Sequence, residues 1–419
     1  MVTEQFKIYY ANAVLLAIAA ALLTSVAGIN IGVLLLLLVT PWFWRGSVFD
    51  AAQKKWTVQF LVLIASFCLW DVVTNLVAGA SVGRALLALQ HDLRTFAFIL
   101  LLWPVFRVEK VARFALLALL TACVAIAGAN LAATWTGLIQ SGEYLWPTMH
   151  HLHGQISVGM VFLLAQLWLV RPSLSWRVAL PMVVLLASMF FANERRAGYL
   201  LLGVGFPVWY ALNAKRLFVG RYKWWVLCAA IFALLLAAAS PVVQARMARM
   251  VLEVNQFFAM TPEQRAGVET SLGIRLQFYS SIAELIQQSH WMVGVGSVHF
   301  GDMFYAINHR LGTTSEQAAT YFSNFQNPHN EYLFMLATKG VIGLILYLAI
   351  FIQACRLAWQ KNDEVQRVVC VMFVFLFMVS ITANSMMTDM EEGHFTMLIL
   401  LIFLAPASLR LFQDNPQHG

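Results

Sequence analysis

The chain has 419 residues, of which 61% are hydrophobic and 11% are charged, whereas a soluble globular domain carries about 25% charged residues. This composition excludes a soluble enzyme. The net charge of +7 does not indicate a nucleic-acid-binding protein, because the basic residues lie in short clusters between apolar runs, the arrangement that orients a membrane protein. The chain is therefore predicted to be an all-α, polytopic integral membrane protein.

Apolar runs predict about twelve transmembrane helices. They lie near 9–26, 30–44, 57–79, 85–106, 114–134, 155–170, 178–192, 197–213, 225–240, 331–354, 368–386 and 395–409. Twelve spans place both termini on one side, and the lysines and arginines of the short loops assign that side as cytoplasmic. The predicted organisation is a transmembrane bundle over 1–240, one large outer loop region over 241–328, and C-terminal transmembrane helices over 329–419.

The fourth predicted span is ambiguous, because charged side chains lie within it or at its outer end. These are His91, Asp92 and Arg94. In one interpretation the helix starts near Thr95 and these residues lie at the interface. In the other they lie at membrane depth, where ionisable groups face a bundle interior or water. Asp71 and Asn75 in the third span raise the same alternative.

The large outer loop contains two segments with apolar residues at helical spacing, PVVQARMARMVLEVNQFF and GIRLQFYSSIAELIQQSHW. Both are predicted to be amphipathic helices that lie on the membrane and cover the bundle. The stretch 292–327 contains GVGS, NHR and SNFQNPHN, and this composition predicts an irregular loop.

Cations on the outer side are nearly all arginine. The set is Arg84, Arg94, Arg195, Arg196, Arg246, Arg249, Arg265, Arg275 and Arg310, with Lys339 as the lysine. The planar guanidinium suits bidentate capture of phosphate oxygens, so the set indicates a phosphate-bearing ligand at the outer leaflet. Pairing with lipid head groups or with nearby carboxylates is the alternative. Arg195 and Arg196 are adjacent in the short turn NERRAG, and one of the two is expected to face the bundle cavity.

The tenth span begins with NPHNEYLFMLATKGVIG. His329, Asn330 and Leu333 are predicted to fall within one helical turn, and Gly340 and Gly343 are predicted to permit close helix packing. A histidine at the outer mouth of a span can act as a base, or as a phosphate donor when protonated. An interfacial histidine without a chemical role is the alternative.

Two further clusters have weaker signals. His150, His151 and His153 have the spacing of metal ligands, but the sequence near them supplies no carboxylate or thiolate, so an interfacial anchor is the alternative. The turn TDMEEGH carries Asp389, which could orient an arginine, serve as a base or help to hold a divalent cation. A solvated turn between helices is the other interpretation.

Three motifs together resemble those of the O-antigen ligase family. The family's H-N-x-x-L…G pattern is matched by HNEYLFMLATKGVIG, its R-x-x-x-L pattern by RAGYL, and its arginine before a helix that leads into a G-x-G turn by GIRLQFYSSIAELIQQSHWMVGVGS. The matching positions are His329, Asn330, Leu333, Gly340, Arg196, Leu200, Arg275, Gly294 and Gly296. Twelve spans with a large loop between the ninth and the tenth are also similar to this family.

The resemblance implies an O-antigen ligase of lipopolysaccharide biosynthesis in the bacterial inner membrane, with a periplasmic active site. Such an enzyme transfers a preassembled glycan from undecaprenyl pyrophosphate to a sugar hydroxyl of lipid A-core, with inversion and without metal, nucleotide or other cofactor. Membrane lipids surround it, and nucleic acid is no partner. An O-antigen polymerase and a protein O-oligosaccharyltransferase are alternatives within the superfamily. A twelve-span secondary transporter is the alternative from another class, although the two halves of the chain show no repeat.

The candidate site residues fit this chemistry, because a pyrophosphate leaving group gains negative charge that preformed cationic donors stabilise. The predicted catalytic residues are His329, Arg196, Arg275 and Arg265. The predicted substrate-binding residues are Arg195, Asn330, Asp389, Arg246 and Arg249. His329 either removes the acceptor proton or binds the diphosphate, and Asp389 pairs with an arginine or with His329.

Overall fold

The computed structural model of the chain describes residues 3–21, 26–43, 54–140, 145, 155–192, 196–219, 241–265, 270–310, 328–383 and 390–409. In chain order its α-helices are α1 (Glu4–Ala21), α2 (Val26–Phe43), α3 (Lys54–Val77), α4 (Val82–Phe106), α5 (Glu109–Trp135), α6 (Ser157–Val170), α7 (Ser175–Ala187), α8 (Arg196–Leu212), α9 (Ala214–Val219), α10 (Pro241–Ala259), α11 (Pro262–Arg265), α12 (Ser271–Gln288), α13 (Ser297–Arg310), α14 (Glu331–Trp359), α15 (Glu364–Ser380) and α16 (Met390–Leu404). A 3₁₀ turn at Pro172–Leu174 precedes α7, and a π-helical turn at Ser188–Ala192 follows it.

Helices α3, α5 and α14 are each long and apolar enough to cross a membrane. Shorter apolar helices lie at Ser157–Val170, Trp176–Ala192, Gly198–Leu212 and Gly393–Leu404. Apolar segments in lipid must satisfy their backbone hydrogen bonds internally, which favours helices. The all-helical class and the membrane character are confirmed. Each predicted span coincides with a helix except 225–240, which lies outside the described residues, so the count of twelve stays a prediction.

The core of the bundle forms where α14 packs against α3 and α15. Tyr347 of α14 is fully buried, and its ring centroid lies 5.8 Å from that of Phe67 on α3. Phe351, one turn further along α14, lies 4.8 Å from Phe377 of α15. Aromatic pairs at these distances add to the energy of close packing, so α14 is a central element of the bundle, and α12 and α13 also pack on it.

Helix α4 begins at Val82, where the hydroxyl of Ser81 caps it by accepting a hydrogen bond from the backbone N–H of Arg84 at 3.4 Å. The interpretation in which this helix starts near Thr95 is therefore wrong. Asp92 lies inside the helix, its side chain is 12% exposed, and it forms an ion pair with Lys339 of α14. An opposite charge from a neighbouring helix makes an acidic residue tolerable inside an apolar bundle.

The segment predicted as the large outer loop contains α10, α12 and α13. The helices predicted from PVVQARMARMVLEVNQFF and GIRLQFYSSIAELIQQSHW are confirmed as α10 and α12. The irregular loop predicted over 292–327 is wrong for Ser297–Arg310, which is α13, because Phe300, Phe304 and Ile307 recur at helical spacing and are buried.

The apolar face of α12 packs on protein. Phe278, Ile282 and Leu285 are fully buried in one hydrophobic cluster with residues of α13 and α14, so the prediction that this helix lies with its apolar face on the membrane is wrong. The amphipathic pattern was correct, but α13 supplies the partner surface. In α10, by contrast, Met247 and Phe258 are 55% and 65% exposed.

Candidate functional site

His329 lies just outside the N-terminus of α14 in a left-handed backbone conformation, with φ of 54°. The prediction that His329, Asn330 and Leu333 fall within one helical turn is therefore wrong for His329, which lies before the N-cap. Its imidazole stacks on the ring of Phe278, with centroids 6.1 Å apart and an interplanar angle of 19°. A residue other than glycine in this region costs about 1 kcal/mol or more, and such strain concentrates at functional sites.

Asn330 is the N-cap of α14. Its side-chain oxygen accepts a hydrogen bond from the backbone N–H of Leu333 at 3.0 Å, and its Nδ2 donates to the carbonyl oxygen of Thr382 at 3.0 Å. The adjacent backbone N–H of Glu331 donates to the carbonyl oxygen of Ile381 at 2.9 Å. Asn330 therefore starts the helix and attaches it to the end of α15.

Tyr279 of α12 is a site residue that the sequence predictions missed. Its hydroxyl lies 3.4 Å from the carbonyl oxygen of His329 and 3.3 Å from that of Thr382, so one donor is shared between two acceptors. The signal was present, because Tyr279 follows Arg275 by four residues and therefore projects from the same face of α12. The structure thus brings Arg275, Tyr279, His329 and Asn330 together.

The electrostatic setting keeps the imidazole neutral. Burial, and then the nearby positive charge of Arg275, lower the pKa of His329 from its ordinary value of 6.5 to about 4. Burial raises the pKa of the Tyr279 hydroxyl, although its hydrogen bond with Asn330 and the charge of Arg275 oppose the shift. At neutral pH the site therefore presents an unprotonated histidine, a protonated phenol and a cation.

A break in α14 receives the turn between α12 and α13. Gly294 and Gly296 have φ of 79° and 76°, which confirms the predicted G-x-G turn. The backbone N–H groups of Val295 and Gly296 donate at 2.9 Å to the carbonyl oxygens of α14 residues 337 and 338. Beyond the break, the N–H groups of residues 341 and 342 donate to the carbonyl oxygens of Trp291 and Met292. Gly340, with φ of 65° and ψ of −171°, forms the break itself. Its predicted role in helix-helix packing is wrong, because the approaching element is a loop.

A protein-family model described as O-antigen ligase matches residues 181–348. This region is similar to the O-antigen ligase family and makes up less than half of the chain. The match confirms the resemblance carried by the histidine, arginine and G-x-G motifs. No curated protein matches the chain at a significant level. The region that matches contains all of α12 and α13 and α14 as far as residue 348. It therefore contains the residues assembled around His329, except for the acceptor carbonyls at the end of α15.

Three other predicted site residues of this region are Arg265, Arg249 and Arg196. Arg265 donates to the carbonyl oxygens of Phe257 and Phe258 at 3.0 and 3.3 Å and lies over the Phe257 ring, so it holds the C-terminal end of α10. Arg249 is exposed on the same helix. Arg196 is the first residue of α8.

Several predicted residues fall outside what the structure describes. They are Arg195, Asp389, His150, His151 and His153, and also the side chains of Arg196 and Arg246. Their roles stay predictions. Within the described ranges, no group of His, Cys, Asp and Glu side chains is placed to hold a metal ion.

Proposed function

We propose that the chain is an O-antigen ligase, an integral membrane glycosyltransferase that transfers a preassembled glycan from undecaprenyl pyrophosphate to a sugar hydroxyl of lipid A-core. The reaction takes place at the periplasmic face of the bacterial inner membrane, with both termini in the cytoplasm. The observation that carries the proposal is a strained, neutral histidine beside an arginine at the mouth of a membrane-spanning helix. This arrangement lies in a region that matches the O-antigen ligase family.

His329 acts as the base in this proposal. The acceptor hydroxyl oxygen attacks the anomeric carbon from the side opposite to the diphosphate, and a new glycosidic bond forms. The bond between the anomeric carbon and the diphosphate oxygen breaks, and its electron pair stays on the diphosphate. The acceptor proton passes to the imidazole, which can take it because burial and Arg275 keep the ring unprotonated. Inversion at the anomeric carbon follows from this single displacement.

Arg275 has two effects that differ between the empty and the occupied site. In the empty site its charge helps to lower the pKa of His329. A bound diphosphate places negative charge beside both side chains, which offsets the arginine charge and raises the pKa of the imidazole towards the working pH. The histidine thus becomes a better base once the donor is bound. The guanidinium then stabilises the charge that develops on the leaving oxygen.

The alternatives within the superfamily differ from this proposal in the acceptor. An O-antigen polymerase uses the growing glycan, and a protein O-oligosaccharyltransferase uses a protein hydroxyl. A secondary transporter would bind a substrate without any transfer. A transfer assay with a defined acceptor therefore distinguishes these alternatives.

The test uses the full chain in lipid nanodiscs with an undecaprenyl pyrophosphate-linked glycan, lipid A-core acceptor and excess chelator, and follows glycosylated acceptor by gel shift. The variants are His329→Ala and His329→Gly, with His290→Ala as a matched control because the His290 side chain is exposed. Glycine at 329 relieves roughly 1 kcal/mol of left-handed strain while it removes the imidazole. It therefore separates folding from chemistry.

We expect product from the wild type and from His290→Ala, and none from either His329 variant, with His329→Gly at least as stable as His329→Ala. Equal product from His329→Gly and the wild type would remove His329 from the mechanism. Elongated donor-linked glycan in the absence of lipid A-core would replace the ligase proposal with a polymerase.

A further inference from the structure

Three charged residues form a buried charge cluster in the bundle, away from His329. Lys339 of α14 is 1% exposed, and its ammonium forms ion pairs with Asp71 of α3 and, at 2.8 Å, with Oδ2 of Asp92 of α4. The ammonium also lies 5.0 Å from the ring centroid of Phe67. Desolvating three charges is costly, and in membrane proteins such clusters are kept where they have a role.

The cluster continues into the start of α13. The hydroxyl of Ser297, the first residue of that helix, lies 3.1 Å from Oδ1 of Asp71 and accepts a hydrogen bond from Nδ2 of Asn75 at 2.9 Å. Oδ1 of Asn75 accepts from the backbone N–H of Val298 at 2.8 Å. Helix α3 therefore caps α13, and the carboxylate of Asp71 lies close to the positive end of its dipole.

From α13 the contacts reach the histidine. Phe304 packs on Phe278 of α12 with ring centroids 5.4 Å apart, and the Ser281 hydroxyl donates to Oδ1 of Asn308 at 2.6 Å. Phe278 in turn stacks on the imidazole of His329. Because α12 and α13 share one buried apolar cluster, they respond to a displacement as a unit.

We propose that the buried charge cluster is a positioning device. By fixing the first turn of α13, it sets where α12 holds Arg275 and Tyr279 relative to His329. Lys339 contributes through its backbone as well as through its side chain. Its carbonyl oxygen, at the break in α14, accepts a hydrogen bond from the Trp70 indole at 2.8 Å. The claim that the cluster affects catalysis (the catalytic half of the inference) rests on the proposed function, whereas the claim that the cluster positions α13 does not.

The test measures amide hydrogen exchange of α13 in the full chain in nanodiscs, for the wild type, Lys339→Met and Lys361→Met. Lys361 is a matched control, since it is equally buried but donates to the carbonyl oxygen of Pro406 at 2.7 Å. We expect exchange in α13 to rise roughly tenfold or more in Lys339→Met and to stay unchanged in Lys361→Met, because only the first variant leaves Asp71, which contacts the start of α13, without its ammonium partner.

Asn75→Ala provides a second variant that cuts the link and leaves the three charges in place. It should raise exchange in α13 as well, and it keeps the proposal testable if Lys339→Met fails to fold. In the transfer assay Asn75→Ala should also shift the acidic limb of the pH–rate profile to higher pH, because a displaced Arg275 no longer lowers the pKa of His329. A purely structural role lowers the rate without moving the limb.

Exchange in α13 that is the same in Asn75→Ala and Lys361→Met would overturn the proposal. An unmoved acidic limb in Asn75→Ala would overturn its catalytic half. If the wild type shows no transfer at all, the proposed function fails, but the exchange data still decide whether the cluster positions α13.

Discussion

Replacing Gly340 by alanine should weaken the docking of the turn between α12 and α13 on α14. The residue has φ of 65° and ψ of −171°, a region that essentially only glycine occupies. A Cβ there would also collide with backbone atoms of Met292 and Val293. Backbone atoms cannot rotate away as a flexible side chain would, so the loop must move.

The expected cost has two parts. Holding alanine in this conformation costs about 1 to 3 kcal/mol, and overpacking against the loop adds about 1 to 3 kcal/mol. The sum of roughly 2 to 6 kcal/mol is comparable to the net stability of many domains. Backbone bonds cross the break in both directions, including Val341 N–H to Trp291 carbonyl at 3.0 Å. Relief of the clash by undocking the loop therefore leaves several of these groups without partners.

The measurement is the free energy of unfolding in a detergent titration, combined with amide exchange across 291–296. Gly203→Ala is the matched control, because Gly203 lies inside α8 with no atom within 4 Å of the added Cβ. That change should be neutral or stabilising by up to about 1 kcal/mol. If the two variants unfold within about 0.5 kcal/mol of each other, the inference that the loop occupies the break is refuted.

Two further predictions concern the histidine and its neighbours. Asn330→Ala removes the side-chain cap on the N–H of Leu333 and the hydrogen bond from the side-chain amide to the carbonyl oxygen of Thr382, so the free energy of unfolding should fall by about 1 to 2 kcal/mol. The loss should be smaller in Asn330→Ser, which keeps the cap. Equal losses in the two variants would contradict the capping role. Arg275→Gln should raise the pKa of His329 from about 4, so the acidic limb of the transfer rate moves to higher pH but stays below 6.5, because burial remains the larger cause. The sign follows from the base role, since activity is lost as pH falls through the pKa of the folded protein; a limb that does not move would separate Arg275 from His329.

Local patterns in the sequence were sufficient to predict two helices near the site and the G-x-G turn. Apolar spacing located α10 and α12, and G-x-G predicted the turn that Gly294 and Gly296 form. The same rule would have located α13, because Phe300, Phe304 and Ile307 have helical spacing, but the polar residues around them favoured a loop.

Tertiary partners were not predictable in the same way. Asp71 and Lys339 are 268 positions apart, and neither sequence neighbourhood indicates the other. Gly340 illustrates the same limit, since a glycine in an apolar helix is compatible with close packing of another helix and with a break. The element that decides between them is the turn near Gly294, which lies on another part of the chain. The stacking of Phe278 on His329 likewise depends on how α12 docks.

The buried charge cluster also bears on how the ligase-family region depends on the rest of the chain. The matched residues 181–348 include Lys339, but Asp71 and Asp92 lie outside them. A fragment limited to the matched region would lack α3 and α4, and with them both carboxylates and much of the surface that buries Lys339. It would also lose the Thr382 carbonyl that holds Tyr279 and Asn330. The motifs therefore belong to the family region, whereas their geometry depends on the N-terminal bundle and on the end of α15.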